Sequence, residues 1–436
     1  MDYKIMIEKE LITKINNKKA KVGIIGMGYV GVPLGIEFAK NGLKVIGFDT
    51  DNQKVKNINS GKQIMKHISK SSMENFIKNG SKATTDFEEL KNVNCILMCV
   101  PTPLDIYEQP DMSYVKKATK TISKNLKKGQ LVILESTTYP GTTKEIIKPI
   151  LEESGLSAGK DFFLAYSPER EDPGNKDFSV SRIPKVIGGL TPKCLNVANE
   201  LYSKIIKQTV KVSSPETAEA TKLMENIFRA VNIAMVNELK LIFERMNINI
   251  WEVIEAADSK PFGFMPFYPG PGMGGHCIPI DPFYLSWKAK EYNTEAKFIE
   301  LAGEINKKMT ENIAHRIGKG LNDHSKSIRK SNILILGIAY KKDIDDMRES
   351  PALKIIDLLR FKGAKVSYHD PFVKNAKDIK YVELNRKNLS EADAVVITTD
   401  HSNVDYDMVG KYATLIIDTR NVMANVKNPK AHVLRA

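Results

Sequence analysis

The strongest constraint on the fold of this chain is a rhythm of short apolar runs separated by helical stretches. Between residue 21 and about 213 the runs KVGIIG, LKVIGFD, CILMCVP, LVILEST, FFLAYSP and KVIGG recur, several ending in Gly, Pro, Ser or Asp. Such alternation predicts a parallel sheet with crossover helices. The rhythm breaks at Pro215, where ETAEATKLMENIFRAVNIAMVNELKLIFERM runs to about Asn247 without Gly or Pro. Its apolar residues recur at three and four, which predicts one long helix packed along one face and bridging two domains. A Pro/Gly-rich loop, KPFGFMPFYPGPGMGGHCIPIDP, and a second helical stretch to about Ser327 come next. From Ser331 the alternation resumes with NILILGIAY, AKVSYHDP, ADAVVITTD and TLIIDTR. At 436 residues the chain exceeds one ordinary core. The expected fold is α/β: two Rossmann-like doubly wound domains joined by a long central helix and helical region. The expected boundaries are 1–212, 213–327 and 328–436.

Charge and cysteine usage exclude other classes. The net charge of +13 invites a nucleic-acid reading, but the lysines are spread along the chain, often beside Glu or Asp, and no arginine-rich arm occurs. An anionic small substrate accounts for the balance more simply. Four cysteines, Cys95, Cys99, Cys194 and Cys277, are too few and too scattered for a disulfide framework. Cys95 and Cys99 sit in one strand-like run without zinc-ligand spacing, so no metal is expected. The N-terminus lacks the uninterrupted apolar stretch of a signal peptide, and no run reaches the roughly 18 to 20 apolar residues of a membrane span. The expectation is a soluble, cytoplasmic protein without a membrane or nucleic-acid partner.

In VGIIGMGYVGVPLGIEFAKNGLKVIGFD, Gly26, Gly28 and Gly31 form GxGxxG between a strand and a helix. The first glycine makes the tight turn, the second admits a pyrophosphate to the backbone, and the third lets helix and strand pack closely. Asp49 ends the next strand, where a carboxylate can accept both ribose hydroxyls and disfavours a 2′-phosphate. The cofactor reads as NAD, with Tyr29 and Val30 of the turn as further contacts. The last domain keeps one glycine of this pattern, Gly337, and ends its second strand with His369-Asp370, but lacks the phosphate-cradling spacing. It should bind a different nucleotide, with Tyr340, Lys341 and Arg348 supplying an aromatic face and cations for a diphosphate. Solvated surface charge is the plainer alternative for those three.

The run Gly270-Pro-Gly-Met-Gly274-Gly-His276-Cys277-Ile-Pro-Ile-Asp281-Pro carries the sharpest chemistry. Cysteines are more often buried structural residues. Four preceding glycines, however, keep bulky neighbours away and let a substrate reach the sulfur. His276 is a candidate for lowering the thiol pKa, against the tendency of adjacent side chains to diverge. On the long helix, Lys222 and Asn226 are i and i+4, a cation and an amide donor suited to a developing oxyanion. On propensity alone that pair reads as an ordinary exposed stripe. AYSPERED ends a strand with Glu169, a plausible general base beside the cofactor.

Taken together, GMGYVGVPL, VPTPL, ESTTYPGTT, SPER, EATKLMENIFRAVN, GGHCIPIDP and LGIAYKKDIDDMRESPA resemble the UDP-glucose/GDP-mannose dehydrogenase family, in the family's order from about residue 21 to Arg420. The resemblance implies an NAD domain, a central helical dimerisation region and a domain binding UDP. It makes Cys277 the thiol nucleophile, with Lys222, Asn226 and Asp281 around the reacting carbon. Glu169 falls at the place of the thioester-hydrolysis base, and Thr137 or Thr138 would help position water. Lys341 would contact the sugar-phosphate, and Arg348 the cofactor or an interdomain contact. Thr102 and Thr137 join the cofactor residues, and Gly274, His276, Tyr340 and Arg420 the substrate residues. The implied partners are a UDP-sugar and a second copy of the chain, as a homodimer or higher oligomer.

Two departures narrow the branch. In the UDP-glucose type the cysteine sits in a GGSC-type loop with a lysine before the aspartate; here His276 and Ile280 stand there. A second glutamate kept by that type is replaced by Pro173. The loop resembles instead that of enzymes acting on UDP-N-acetylhexosamines, UDP-N-acetylglucosamine above all. The implied reaction oxidises carbon six to a carboxylate through a thiohemiacetal and a thioester on Cys277. The rivals are a two-electron dehydrogenase of the 3-hydroxyacid type, which needs neither the cysteine loop nor a second α/β domain, and a non-enzymatic NAD-sensing or nucleic-acid-binding protein. NADH formed per sugar separates them: two, one or none.

Overall fold

The computed structural model describes residues 3–65, 68–170, 180–275 and 278–436. The chain forms two compact units, Met1–Glu225 with Phe283–Thr294, and Asn226–Pro282 with Glu295–Ala436.

The first unit is built on an eight-stranded sheet. In chain order its strands are β1 (Lys21–Ile25), β2 (Lys44–Phe48), β3 (Lys82–Thr84), β4 (Cys95–Met98), β5 (Leu131–Leu134), β6 (Phe163–Tyr166), β7 (Lys185–Gly189) and β8 (Thr209–Val212). Their spatial order is β3-β2-β1-β4-β5-β6-β7-β8. Every residue of β4 and β5 is fully buried, because crossover helices cover both faces of a doubly wound sheet and leave no polar side to alternate with. The chain reverses direction from β1–β2–β3 to β4, and that switch point is where such a sheet takes its ligand, at the carboxyl ends of the strands. One departure from the parallel expectation occurs: β7 runs antiparallel to β6, pairing Ala165 with Gly189 and Tyr166 with Gly188. This reversal brings the amino end of β7, Lys185, beside the carboxyl end of β6.

A helix, Tyr3–Asn16, precedes β1. Leu11 and Ile15 are buried in the same core as β1 and helix Pro192–Tyr202. Asn196 donates to Glu8 at 2.9 Å.

The second unit repeats the scheme. Its strands are β9 (Asn332–Leu336), β10 (Lys365–His369), β11 (Lys380–Tyr381), β12 (Ala394–Ile397), β13 (Leu415–Asp418) and β14 (His432–Arg435). They are ordered β11-β10-β9-β12-β13-β14, all parallel. Numbered within its own sheet, this is the 3-2-1-4-5-6 order of β1–β6, so two Rossmann-like domains are present. The stretch that begins at Pro215 is one helix of 31 residues, Pro215–Arg245. Met224, Phe228, Met235 and Ile242 leave large apolar side chains exposed along it. No described helix is long and apolar enough to cross a membrane.

Candidate active site

At the carboxyl end of β1 the three glycines are required for different reasons. Gly26 has φ +94°, and a Cβ there would lie 2.4 Å from the Cys99 carbonyl oxygen. A Cβ on Gly31 would stand 2.0 Å from the Gly26 carbonyl oxygen, so helix Gly31–Lys40 can start this close only without one. A Cβ on Gly28 would meet nothing within 4 Å; its freedom from crowding marks the open side of the turn. Val30 provides no side-chain cap for that helix, so the helix start retains backbone donors and the positive end of its dipole for an anion. Tyr29 is exposed and Val30 half-buried at the same turn. Asp49, nearly buried, accepts from Met27 N at 3.0 Å, Asp51 N at 3.0 Å and Lys54 Nζ at 2.8 Å. It therefore both fixes the turn and presents acceptor capacity at the end of β2. These residues fit NAD: a pyrophosphate over Gly28, a ribose at Asp49. Thr102, also buried, offers its carbonyl to the Tyr284 hydroxyl.

Asp49→Ala is expected to weaken NAD by about 1 to 3 kcal/mol, the cost of removing a paired acceptor. It should also narrow the gap to NADP, because Lys54 loses its partner where a 2′-phosphate would arrive. Fluorescence titration with NADH and NADPH measures both, and unchanged NADH affinity would place the ribose elsewhere.

Beyond β5, Glu135-Ser136-Thr137-Thr138 turns over the sheet. Thr137 is half-buried. The Thr138 hydroxyl is buried with no hydrogen-bond partner among the described residues, an arrangement that suits a bound water because an unpaired buried hydroxyl costs about 1 to 3 kcal/mol. The long helix fixes this loop. Glu219, fully buried, accepts from Gly141 N at 2.7 Å, Thr143 N at 2.9 Å and the Thr143 hydroxyl at 2.7 Å. Burial pushes its carboxyl up to about 7 against the pull of those donors. One turn further lies Lys222. It is 8% exposed and Asn226 6%, which corrects the exposed-stripe reading: the face that Glu219 shares is turned inward. Glu169, at the end of β6, is half-buried. Its carboxylate accepts from Arg170 N at 2.8 Å and lies 3.6 Å from Lys185 Nζ.

In the second unit the glycine-rich loop is held along its length. Asn237, fully buried on the long helix, accepts from Gly270 N at 3.0 Å and donates to Asn306 at 2.8 Å. Gly275 N donates to the Arg348 carbonyl at 2.9 Å. A Cβ on Gly274 would stand 2.6 Å from the Tyr340 Cβ, and one on Gly275 2.9 Å from the Tyr340 ring. A Cβ on Gly270 would meet the Arg420 guanidinium at 2.9 Å. At the loop's far end Asn226 donates to the buried Asp281 carboxylate at 2.6 Å. The structure thus gathers Gly274, Tyr340, Arg348 and Arg420 around one loop, and Asn226 with Asp281. His276 and Cys277 lie outside the described residues. Lys341 is half-buried beside Tyr340. The Arg348 guanidinium forks onto Asp346 at 2.6 and 3.0 Å rather than standing as an open phosphate donor.

The carboxylate that ends β10 answers the question raised by His369-Asp370. Asp370, fully buried, takes Ile338 N, Ala339 N, Phe372 N, Val373 N and His401 Nε2 at 2.7 to 3.1 Å. Five donors exceed the four lone-pair positions of a carboxylate, so no capacity is left for a ribose diol. Gly337 (φ +82°) sits where a Cβ would touch Thr399 at 2.6 Å. The turn is kept, but it is closed on itself.

Sequence reasoning missed Glu219, Asn237 and the Glu135–Lys185 pair. The available signal was a charged residue at the edge of an apolar strand run, in LVILE and in KVIGG.

Three family models cover most of the chain. They are the UDP-glucose/GDP-mannose dehydrogenase family NAD binding domain at residues 20–206, its central domain at 216–308 and its UDP binding domain at 334–425. The chain is 36% identical over 413 residues to a UDP-N-acetyl-D-mannosamine dehydrogenase of Pyrococcus horikoshii, covering 92% of this chain and 96% of that one. It is 36% identical over 393 residues to a UDP-N-acetyl-D-glucosamine 6-dehydrogenase of Pseudomonas aeruginosa, covering 88% and 91%. A solved structure of a UDP-D-ManNAc dehydrogenase from Pyrococcus horikoshii superposes with a TM-score of 0.87 at 35% identity, over 95% of this chain and 98% of that one.

Proposed function

The chain belongs to the UDP-glucose/GDP-mannose dehydrogenase family, and on that premise we propose that it oxidises carbon six of UDP-N-acetylglucosamine to the uronic acid through a Cys277 thioester. At the coarser level it is an NAD-dependent nucleotide-sugar dehydrogenase of the UDP-N-acetylhexosamine type. The observation that carries the mechanistic reading is the buried Asn226–Asp281 pair at 2.6 Å, next to Cys277 in sequence and one helical turn from the buried Lys222. An amide and an ammonium removed from water are donors already oriented for an oxyanion.

NAD, when bound, accepts a hydride in each of the two oxidations. The protein's part is to make the second oxidation possible. The Cys277 thiolate adds to the aldehyde carbon, forming a C–S bond and an oxyanion that Lys222 and Asn226 stabilise. The adduct also keeps the aldehyde from escaping. After the second oxidation the carbon is a thioester. Glu169 then takes a proton from water, the hydroxide oxygen bonds to the thioester carbon, and the tetrahedral species collapses with Cys277 leaving as thiolate. Thr137 or Thr138 holds that water. Tyr340, Lys341 and Arg420 grip the nucleotide of the sugar substrate. The apolar stripe on the long helix suits a second copy of the chain.

A second reading, UDP-N-acetylmannosamine as substrate, is favoured by the Pyrococcus horikoshii relative, which matches over the larger share of both chains. Initial rates of NADH formation on UDP-N-acetylglucosamine, UDP-N-acetylmannosamine, UDP-N-acetylgalactosamine and UDP-glucose test both. The expected kcat/KM for the better acetamido sugar exceeds that for UDP-glucose by at least about tenfold. A pocket shaped to pair an acetamide loses about 1 to 3 kcal/mol on a bare hydroxyl. Two NADH should form per sugar. A clear preference for UDP-glucose would overturn the substrate class while leaving the family intact.

A further inference from the structure

Beneath the carboxyl ends of β5 and β6 lies a buried charged cluster. Glu135, the residue after β5, is fully buried, and Lys185, at the reversed strand β7, is 5% exposed. Lys185 Nζ stands 2.6 Å from Glu135 and 3.1 Å from the Pro168 carbonyl. The Tyr202 hydroxyl donates to the other Glu135 oxygen. Lys185 also lies 3.6 Å from Glu169, so one ammonium serves two carboxylates on neighbouring strand ends. Burying ions costs several kcal/mol each, and a hydrophobic pair of similar volume is often as stable. Stability alone therefore gives no reason for this cluster.

We propose that Lys185 is a positioning residue for the hydrolytic step: anchored by Glu135 and Tyr202, its ammonium orients the Glu169 carboxylate to take a proton from water. The proposal rests on the reading of Glu169 as the base. The cluster's geometry depends on β7 being antiparallel to β6, which sets Lys185 beside Pro168 and Glu169. Burial works against the Lys185 ammonium, and Glu135 with Glu169 outweighs it, so Lys185 holds its proton more tightly than usual. Glu135, Cys99 and Arg170 also stand near Glu169, which has further interactions beyond these. The Cys99 thiol, driven up by burial, stays neutral. Arg170 is committed to Glu225 on the long helix at 2.7 Å. Lys185 therefore places an ammonium within ion-pair distance of Glu169.

Two variants separate this from a purely structural role, because they move the pH profile in opposite directions. In Glu135→Gln the lysine keeps only Glu169 as a charged partner and a negative neighbour is lost. The acid limb of thioester hydrolysis, followed by quenched single turnovers, should shift to lower pH. In Glu135→Gln with Lys185→Met the buried pair is replaced by neutral groups, and the limb should move up by about one pH unit, the usual influence of a charge at this range. Hydrolysis at pH 6 should fall severalfold, with the NADH burst unchanged. Adding back the charge as Glu135→Gln with Lys185→Arg should restore the limb. If folded double variants show slower hydrolysis with the limb unmoved, Lys185 is structural only. If the double variant does not fold, the single Glu135→Gln still decides, an unmoved limb overturning the proposal. Glu169→Gln run alongside tests the premise: without accumulation of a Cys277 adduct there, the base assignment fails, irrespective of what Lys185 does.

Discussion

Cys277→Ala should abolish formation of the uronic acid, lowering the four-electron rate by at least about 10³-fold, as removal of a nucleophile does in other covalent mechanisms. The first oxidation needs no sulfur, so a trace of aldehyde, or its hydrate, is the expected product. NAD affinity should stay within a few-fold, because the cofactor turn at Gly26–Gly31 is built from β1, β2 and β4 backbone and contains no part of the cysteine loop. Folding should also survive. The loop's described anchors, Asn237 on Gly270, the Arg348 carbonyl on Gly275 and Asn226 on Asp281, use no atom of Cys277. Product analysis by mass spectrometry with NADH counted in parallel gives the answer, and normal acid output from the alanine variant would end the covalent mechanism.

Glu169→Gln should stop the reaction one step later. General-base assistance contributes about 10² to 10⁴ in rate, and that loss falls on hydrolysis alone. Glutamine keeps the shape and still accepts from Arg170 N, so the burst of NADH should persist and then stall. Intact-mass measurement of the stalled protein should show one sugar-nucleotide acyl group per chain. A persistent burst without the adduct would remove Glu169 from the base's role, because the acyl group would be leaving by another route.

The parts of the fold that could be read in the sequence are those where burial is two-sided. β1, β2, β4, β5 and β6 announce themselves because a doubly covered strand is apolar throughout its covered length, the exposed first lysines of β1 and β2 apart. The short edge strands β3, β8 and β11 do not, since each carries exposed or half-buried residues at most positions and too few residues exist to establish a period. The direction of β7 was equally hidden: KVIGG is compatible with either orientation, and only the pairing of Gly188 and Gly189 with β6 decides it. Among site residues, Gly26, Gly28, Gly31 and Asp49 were legible because their spacing is local and the backbone demand is steric. Lys222 and Asn226 were legible as a pair but not as buried, because the spacing of a helix says which residues share a face and not what covers it. The Glu135–Lys185 contact spans a separation of 50 residues, and no local pattern reports a charge pair assembled across three strands.

Asp49 and Asp370 end equivalent strands of two sheets with the same topology, yet one takes three donors and the other five. Saturation of Asp370 is a form of insulation. A dinucleotide arriving at β9–β10 would have to expel His401 or a backbone amide before its ribose found an acceptor, whereas at β1–β2 it need only share with a lysine. Of two chambers of common design, only the one at β1–β2 therefore keeps an acceptor for a dinucleotide's ribose. Restoring the missing glycines to the C-terminal turn would not recreate a second NAD site, because the lock is the fully subscribed carboxylate rather than the shape of the turn.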